Sequence, residues 1–490
     1  MNKIRWENLL CTDTLAEKEP TPSSWRDYDD NPFEEDYREI ISSVNFRHLQ
    51  DKTQVYMLQS GDFVRTRLTH SLEVSTHAKQ LGMMIIYNNR WAKTPAIRAI
   101  PQELRHMVPT VLACSGLLHD MGNPPYGHEG EAAIGLWFTD KLADDSFRFR
   151  GTPIRELLSE ELRCDLMHYE GNAEVIRMLS KARYADEEDK EANVSFATIS
   201  TLIKYPVSAK EMDRNSPDLR LHKFGYYSSE KALVEEVRRR TGIDVPGQPY
   251  ARNPLTYLLE AADDISYAGS DIEDALDRGD VTVPEVADFI ARELDRLPKE
   301  GDEAHQMRVL TTEGMLSNLT SRIEATDRSK SALAMALHQW TSHMKNWFMY
   351  VASSSFVENI DSIMDGTYQD DLLEGSMHRY TIDILKKLMG TLVYPKLSLH
   401  AVSTLTVLWE LVDHFASAVI NWDTDIPLDF GEKMHVRIIP QKYKDSYMRE
   451  KGTDENYNLY LRFRMVIDYL VSLTDSSAFD LYQRLNATTI

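Results

Sequence analysis

Apolar residues recur at helical spacing along most of the 490-residue chain. Leu68, Leu72, Ser75, Ala78, Leu81 and Ile85 fall on one face of a 3.6-residue repeat, so 42–90 reads as helices. Residues 108–118, VPTVLACSGLL, are apolar almost all round and predict a buried helix. It stops at HDMGNPPYG, where Gly122 and the Pro124-Pro125 pair end any helix. Helical periodicity resumes at 255–276, 331–348, 397–422 and 457–473. The intervening breaks at 183–193, 214–218, 242–254 and 297–305 are acidic or rich in Pro and Gly. The first 40 residues are polar and predict a surface segment. There is no β-run of consequence and no internal repeat. The pattern predicts an all-α protein.

Composition agrees with long helices and few tight turns, since Gly (21) and Pro (19) are sparse. Hydrophobic residues make up 42 % of the chain, with 8 Trp, 23 Tyr and 15 Phe, which is enough for a sizeable core and excludes global disorder. The formal net charge of −22 excludes a general electrostatic pull on nucleic acid or anionic membrane. An anionic substrate would need local attraction, from a metal or a few placed basic side chains. Cys11, Cys114 and Cys164 show no CxxC spacing and make no disulfide framework. The N-terminal MNKIRWENLLCTDT lacks a signal-peptide apolar run, and no segment reaches the ~18 apolar residues of a membrane span. A soluble cytoplasmic protein is expected.

His119-Asp120 closes the buried 108–118 segment. An HD dipeptide alone carries little, but His70 lies near the start of an earlier helix and Asp263 on a later one. Two imidazoles and two carboxylates suit a divalent ion: Mn, Mg, Fe, Co, Ni or Zn. The alternative is four unrelated side chains, each a satisfied core histidine or capping aspartate. Asp263, Tyr267 and Asp271 are spaced by four and share one helix face, flanked by Leu255, Leu258, Leu259 and Ala262. The acids therefore point inward, where an unpaired carboxylate costs several kcal/mol (roughly) unless a cation meets it. Asp264, one position round, reads as solvent-facing or Arg-paired. His128 and Glu131 stand at i, i+3, a spacing that lets the carboxylate orient the imidazole for acid/base work. The same spacing also fits an ordinary first helical turn with a favourably placed Glu.

These residues stand in the order H…HD…D of the HD superfamily of phosphohydrolases. The blocks FRHLQDKTQVY, RTRLTHSLEV, LLHDMGNPPYGHEGEAAI, HYEGNA, LIKYP, KFGYYSSE and LTYLLEAADDISYAGSDIEDAL resemble the bacterial deoxyguanosine triphosphate triphosphohydrolases. The likeness runs in order over about 37–280 and continues weakly to the C-terminus. It implies an HD-domain helical fold with a catalytic core at 41–280, after the surface segment 1–40. Additional C-terminal helices at 281–490 would form the base pocket and subunit contacts. It implies His70, His119, Asp120 and Asp263 as metal ligands, and His128 with Glu131 as the catalytic pair beside the α-phosphate. Gln54 and Asp271 would hold the sugar 3′-OH, and Tyr267 would leave no room for a 2′-OH. Asn172, Lys204, Tyr205 and Lys223 would contact the triphosphate, with Arg65 or Arg67 adding to them.

The implied reaction is metal-dependent hydrolysis of dGTP at the α-phosphate, giving deoxyguanosine and tripolyphosphate. Mn²⁺ or Mg²⁺ is the first expectation for the metal. The stretch 390–445 offers no identifiable guanine-reading side chain, so a broad dNTP range fits the same motifs. The resemblance also implies a homo-oligomer, often a hexamer, and a nucleotide or single-stranded DNA effector, with no membrane partner. His77, two turns from His70, reads as packing or surface. An HD phosphodiesterase or nucleotidase would share the metal ligands without the lysines or sugar clamp. A catalytically silent nucleotide or DNA sensor would not need His128 and Glu131.

Overall fold

A computed structural model describes residues 3–16, 31–54, 65–184, 192–298, 300–326 and 329–486. The fold is all-α. Its principal helices are α1 (Phe33–Ser42), α2 (Arg67–Tyr87), α3 (Met107–Leu118), α4 (Gly127–Ala143), α5 (Gly171–Ser180), α6 (Phe196–Leu202), α7 (Pro254–Arg278), α8 (Lys330–Glu358), α9 (Arg379–Leu388), α10 (Ser398–Ala418), α11 (Glu455–Ser472) and α12 (Asp475–Leu485).

Helix α3 is the centre of the core, with every residue from Val108 to Leu118 buried. α1, α2, α6 and α7 all pack against it. The α2–α3 crossing is close because Gly116 carries no side chain. A Cβ there would lie 2.5 Å from Ser75 Cα, so Gly116→Ala would push the two helices apart. α2 starts where a reciprocal cap forms: Thr66 accepts from the Thr69 N–H, and the Thr69 hydroxyl accepts from the Thr66 N–H. That cap fixes the helical turn carrying Arg67 and His70. α7 begins with the Asn253 side chain accepting from Leu255 N–H and with Pro254 at its first position. It runs across both α2 and α8 and ends at Gly279, whose φ of 79° is left-handed.

The hydrophobic interior forms two large clusters. One takes in side chains from Ile4 to Val393. The other joins residues of the 126–169 region, including Trp137 and Phe138, to Val407, Leu411, Phe463 and their neighbours on α10 and α11. Burying a side chain such as Phe138 stabilises by about 1.5–3 kcal/mol, so this second cluster firmly seats the C-terminal helices on α4.

Two features differ from the sequence pattern. The first 40 residues are not merely a surface segment: Ile4, Trp6, Leu9, Leu10, Phe33 and Ile40 are buried, while 17–30 lie outside the described residues. The polar average hides short helical turns whose few large apolar side chains, among the described residues, pack against the core. A two-residue antiparallel ribbon pairs Arg148–Phe149 with Thr152–Pro153, too short to leave an alternation in the sequence. The break expected at 183–193 falls mostly outside the described residues. Among the described residues, no helix is long and apolar enough to cross a membrane.

Candidate active site

α2, the C-terminal end of α3 and α7 converge so that His70, the capping residue His119 and Asp263 face the same point. His70, His119 and Asp263 present ligand atoms that all lie within 4.8 Å of one another. Asp263 Oδ1 is 3.1 Å from His70 Nε2 and 3.5 Å from His119 Nε2. The His119 Nδ1 is 2.8 Å from the Gly116 carbonyl, which only accepts, so Nδ1 carries the proton. Its Nε2 is therefore the nitrogen turned to the carboxylates and, among the described residues, is buried without a hydrogen-bond partner. A cation fits this orphaned donor set. Asp120 borders the trio at 3.7 Å from His119 Nε2 and 4.0 Å from His70 Nε2. Its oxygens accept from Arg67 Nη1 at 2.8 Å and Asn123 Nδ2 at 2.6 Å.

The charges follow from this crowding. Against burial, the carboxylates of Asp120 and Asp263 raise the His119 imidazole to about 9. Against the same burial, His119 and then Arg67 hold Asp120 down at about 2. Asp263 sits well below the usual range, because the two imidazoles outweigh its desolvation.

After His119-Asp120 the chain turns sharply through Asn123-Pro124-Pro125 into α4. Tyr126 (φ 66°) and Gly127 (φ 57°) are both left-handed. For a tyrosine that costs roughly 1–2 kcal/mol, and Tyr126 is fully buried. A Cβ on Gly127 would lie 2.5 Å from Arg67 Nη2, so a side chain there would both strain the backbone and displace that guanidinium. The turn puts His128 over the cavity. Its Nδ1 is 2.8 Å from Glu131 Oε2, while Glu131 Oε1 accepts from the Gly171 N–H at 2.9 Å. The hydrogen bond to Glu131 raises the His128 pKa.

A cavity of about 700 Å³ runs from the His/Asp trio past His128 and Glu131 to a basic wall. Asn172, Lys204, Tyr205 and Lys223 line that wall, and Gln54, Arg67 and Tyr267 also face the cavity. Two acids, Glu170 buried and Glu260 partly buried, organise the bases. Glu170 Oε1 accepts from Asn172 Nδ2 at 2.6 Å and Lys223 Nζ at 3.1 Å. Glu260 is 3.2 Å from Lys204 Nζ and accepts from the buried Arg252 at 2.9 Å. Both lysine pKa values are raised against burial, Lys204 by Tyr205 and Glu260, Lys223 by Glu170 and Tyr205, so both ammonium groups stay charged.

Two predicted residues lie elsewhere. Arg65 does not line the cavity; its guanidinium is held by Glu73, Glu273 and Asp274. It stands just before the α2 cap residue Thr66, and its side chain turns to the acids of α2 and α7 rather than inward. Asp271 is buried one turn beyond Tyr267, outside the cavity lining. Burial, then the neighbouring Asp274, pushes its carboxyl well above the usual range. Asp264 is no simple surface acid: it lines the cavity, and burial followed by Asp371 raises its pKa well above the ordinary value. His77 is half-buried with Nδ1 2.8 Å from the Ser266 hydroxyl, apart from the trio. Sequence reasoning missed Glu170 and Glu260. It also missed Lys386, Tyr394 and Ala401, which reach the cavity from the C-terminal half and carry no spacing signal.

The HD domain family model matches residues 67–198, which spans α2 to the middle of α6. Over 490 aligned residues the chain is 34% identical to a deoxyguanosinetriphosphate triphosphohydrolase-like protein of Listeria innocua serovar 6a, with 99% of each chain covered. The chain belongs to the deoxyguanosinetriphosphate triphosphohydrolase-like family. A like-named protein of Pseudomonas aeruginosa is 28% identical, with 98% of each chain covered. A deoxyguanosinetriphosphate triphosphohydrolase of Yersinia enterocolitica serotype O:8 is 28% identical over 494 residues, covering 93% of this chain and 94% of its own. The likeness to this family therefore extends through the C-terminal helices. Within it, the HD segment carries His70, His119, Asp120, His128 and Glu131, whereas Asp263 comes from α7, beyond the matched residues.

Proposed function

We propose that this protein hydrolyses deoxynucleoside triphosphates at the α-phosphate, with dGTP the first candidate substrate. The observation that carries the reading is the single cavity joining the His/Asp trio, the His128–Glu131 pair and a wall of two charged lysines. Water adds to the α-phosphorus, the bond to O5′ breaks, and the deoxynucleoside leaves with a proton on O5′. Tripolyphosphate carries the new oxygen.

His70, His119 and Asp263, with Asp120 beside them, would hold a divalent ion such as Mn²⁺ or Mg²⁺. When bound, that ion supplies Lewis-acid polarisation of the α-phosphoryl oxygen and acidifies water. Asp120 is oriented for this by Arg67 and Asn123. Lys204, Lys223 and Asn172 would bind the triphosphate oxygens, offsetting locally the repulsion from a chain of net charge −22. Glu131 fixes His128 through Nδ1, which leaves Nε2 free to pass a proton to or from the reacting oxygens. Tyr267 would pack on the deoxyribose and exclude a 2′-OH, and Gln54 would meet the sugar hydroxyl; both line the cavity.

The test is a turnover assay of the metal-loaded protein with each of the four dNTPs and with GTP, separating products by chromatography. Deoxyguanosine and tripolyphosphate from dGTP support the full reading. Turnover of all four dNTPs keeps the reaction and discards guanine preference. No tripolyphosphate from any substrate contradicts it.

A further inference from the structure

Asp475, in the first turn of α12, comes from the far end of the chain to lie behind the cavity lining, against Tyr126 and Thr53. Its Oδ1 accepts from the Tyr126 N–H at 2.9 Å, and its backbone carbonyl accepts from the Tyr126 hydroxyl at 2.9 Å. Its Oδ2 accepts from the Thr53 N–H at 3.0 Å and the Thr53 hydroxyl at 2.7 Å. Tyr126 is the left-handed residue two positions before His128, and Thr53 directly precedes Gln54. A second contact runs alongside. The buried Lys52 Nζ donates to the carbonyls of Asn123 and Val471, each at 2.7 Å. The loop between Asp120 and His128 is thus tied at two points to the end of α11 and the start of α12.

We infer that Asp475 is a positioning residue that sets His128 and Gln54 against each other across the cavity. A strained backbone persists only where its surroundings over-determine it. Tyr126 is held in that conformation at both its amide and its hydroxyl by one residue. Neither Asp475 nor Lys52 lines the cavity, so each acts only through Tyr126, Thr53 or Asn123. The catalytic geometry of the HD segment is therefore completed by a carboxylate lying outside the residues that match the HD domain.

The inference rests on the proposed reaction, and its test separates the two. Full-length Asp475→Ala, Asp475→Asn, His128→Ala and the corresponding double variants are assayed with Mn²⁺ and dGTP. Asp475→Ala lowers kcat by about 100-fold, the scale of a misplaced catalytic group. In the His128→Ala background the same change costs only about a few-fold, because only the route through Gln54 remains. Equal losses in both backgrounds, or unchanged kcat, would overturn the inference. Asp475→Asn, which keeps one acceptor, is read the same way with a smaller loss should the alanine variant not fold. If the wild-type protein releases no tripolyphosphate, the reaction fails alone. Amide hydrogen exchange over 122–130 then decides: acceleration in the Asp475 variants supports the positioning role, and unchanged exchange overturns it.

Discussion

His119 donates its Nδ1–H to the Gly116 carbonyl one helical turn earlier, at 2.8 Å. The same glycine lets α2 approach α3, so one residue both brings His70 close and fixes the tautomer of its partner. His119 Nε2 is consequently presented as a ligand. Calorimetric titration with Mn²⁺ should show that His119→Ala and Asp263→Ala each weaken binding by more than the ~10–100-fold lost with a supporting partner. Wild-type affinity in both variants would remove the trio as the metal centre.

The His128 side chain is 81% exposed toward the cavity, so His128→Ala should fold normally. Its turnover should fall by about 10²–10⁴-fold. Glu131 raises the His128 pKa from its ordinary 6.5, and Glu131→Gln withdraws that support. The limb of the kcat/KM pH profile belonging to His128 should therefore move to lower pH in Glu131→Gln. An unmoved limb would detach the pair from the chemistry.

Glu170 and Glu260 hold Lys223 and Lys204 at the cavity wall. Charge-assisted hydrogen bonds contribute about 1.5–3 kcal/mol each, or roughly 10–100-fold in binding. Lys204→Ala and Lys223→Ala should each weaken binding of a non-hydrolysable dGTP analogue by this factor, while binding of deoxyguanosine stays near wild type. Equal loss for the nucleoside would move these lysines away from the phosphates.

Lys52 is fully enclosed, and burial lowers its pKa from 10.5 to about 7. Between those values the unfolded chain binds more protons than the folded one. Stability from this residue therefore rises with pH, by up to about 1.4 kcal/mol per unit. Urea denaturation from pH 7 to 9.5 should show that slope in the wild type and a flatter one in Lys52→Met. Parallel slopes would mean that Lys52 stays charged in the fold.

Much of this was legible in the sequence. The apolar run 108–118 and the period-3.6 pattern of 255–276 gave their helices nearly end to end, because burial on a helix face leaves a direct periodic mark. His70, His119 and Asp263 were legible as a chemical set, and the cavity unites them with His128, Glu131 and the lysines. What lay hidden depends on direction rather than residue type. Arg65 and Arg67 are two apart, yet one turns to Glu273 and Asp274 and the other to Asp120. Glu170, Glu260 and Asp475 act across long separations on partners that no local pattern names. Trp6 and Leu9 are too few to lift the polar average of the first 40 residues, and they are buried all the same.

The most direct test of the central claim is the fate of the solvent oxygen. Hydrolysis of dGTP by the Mn²⁺-loaded protein in ¹⁸O-water, followed by mass spectrometry, reports which phosphorus is attacked and which bond breaks. Attack at the α-phosphorus predicts deoxyguanosine without label and tripolyphosphate carrying one ¹⁸O. Label in orthophosphate or diphosphate, with dGDP or dGMP as the other product, would contradict the account.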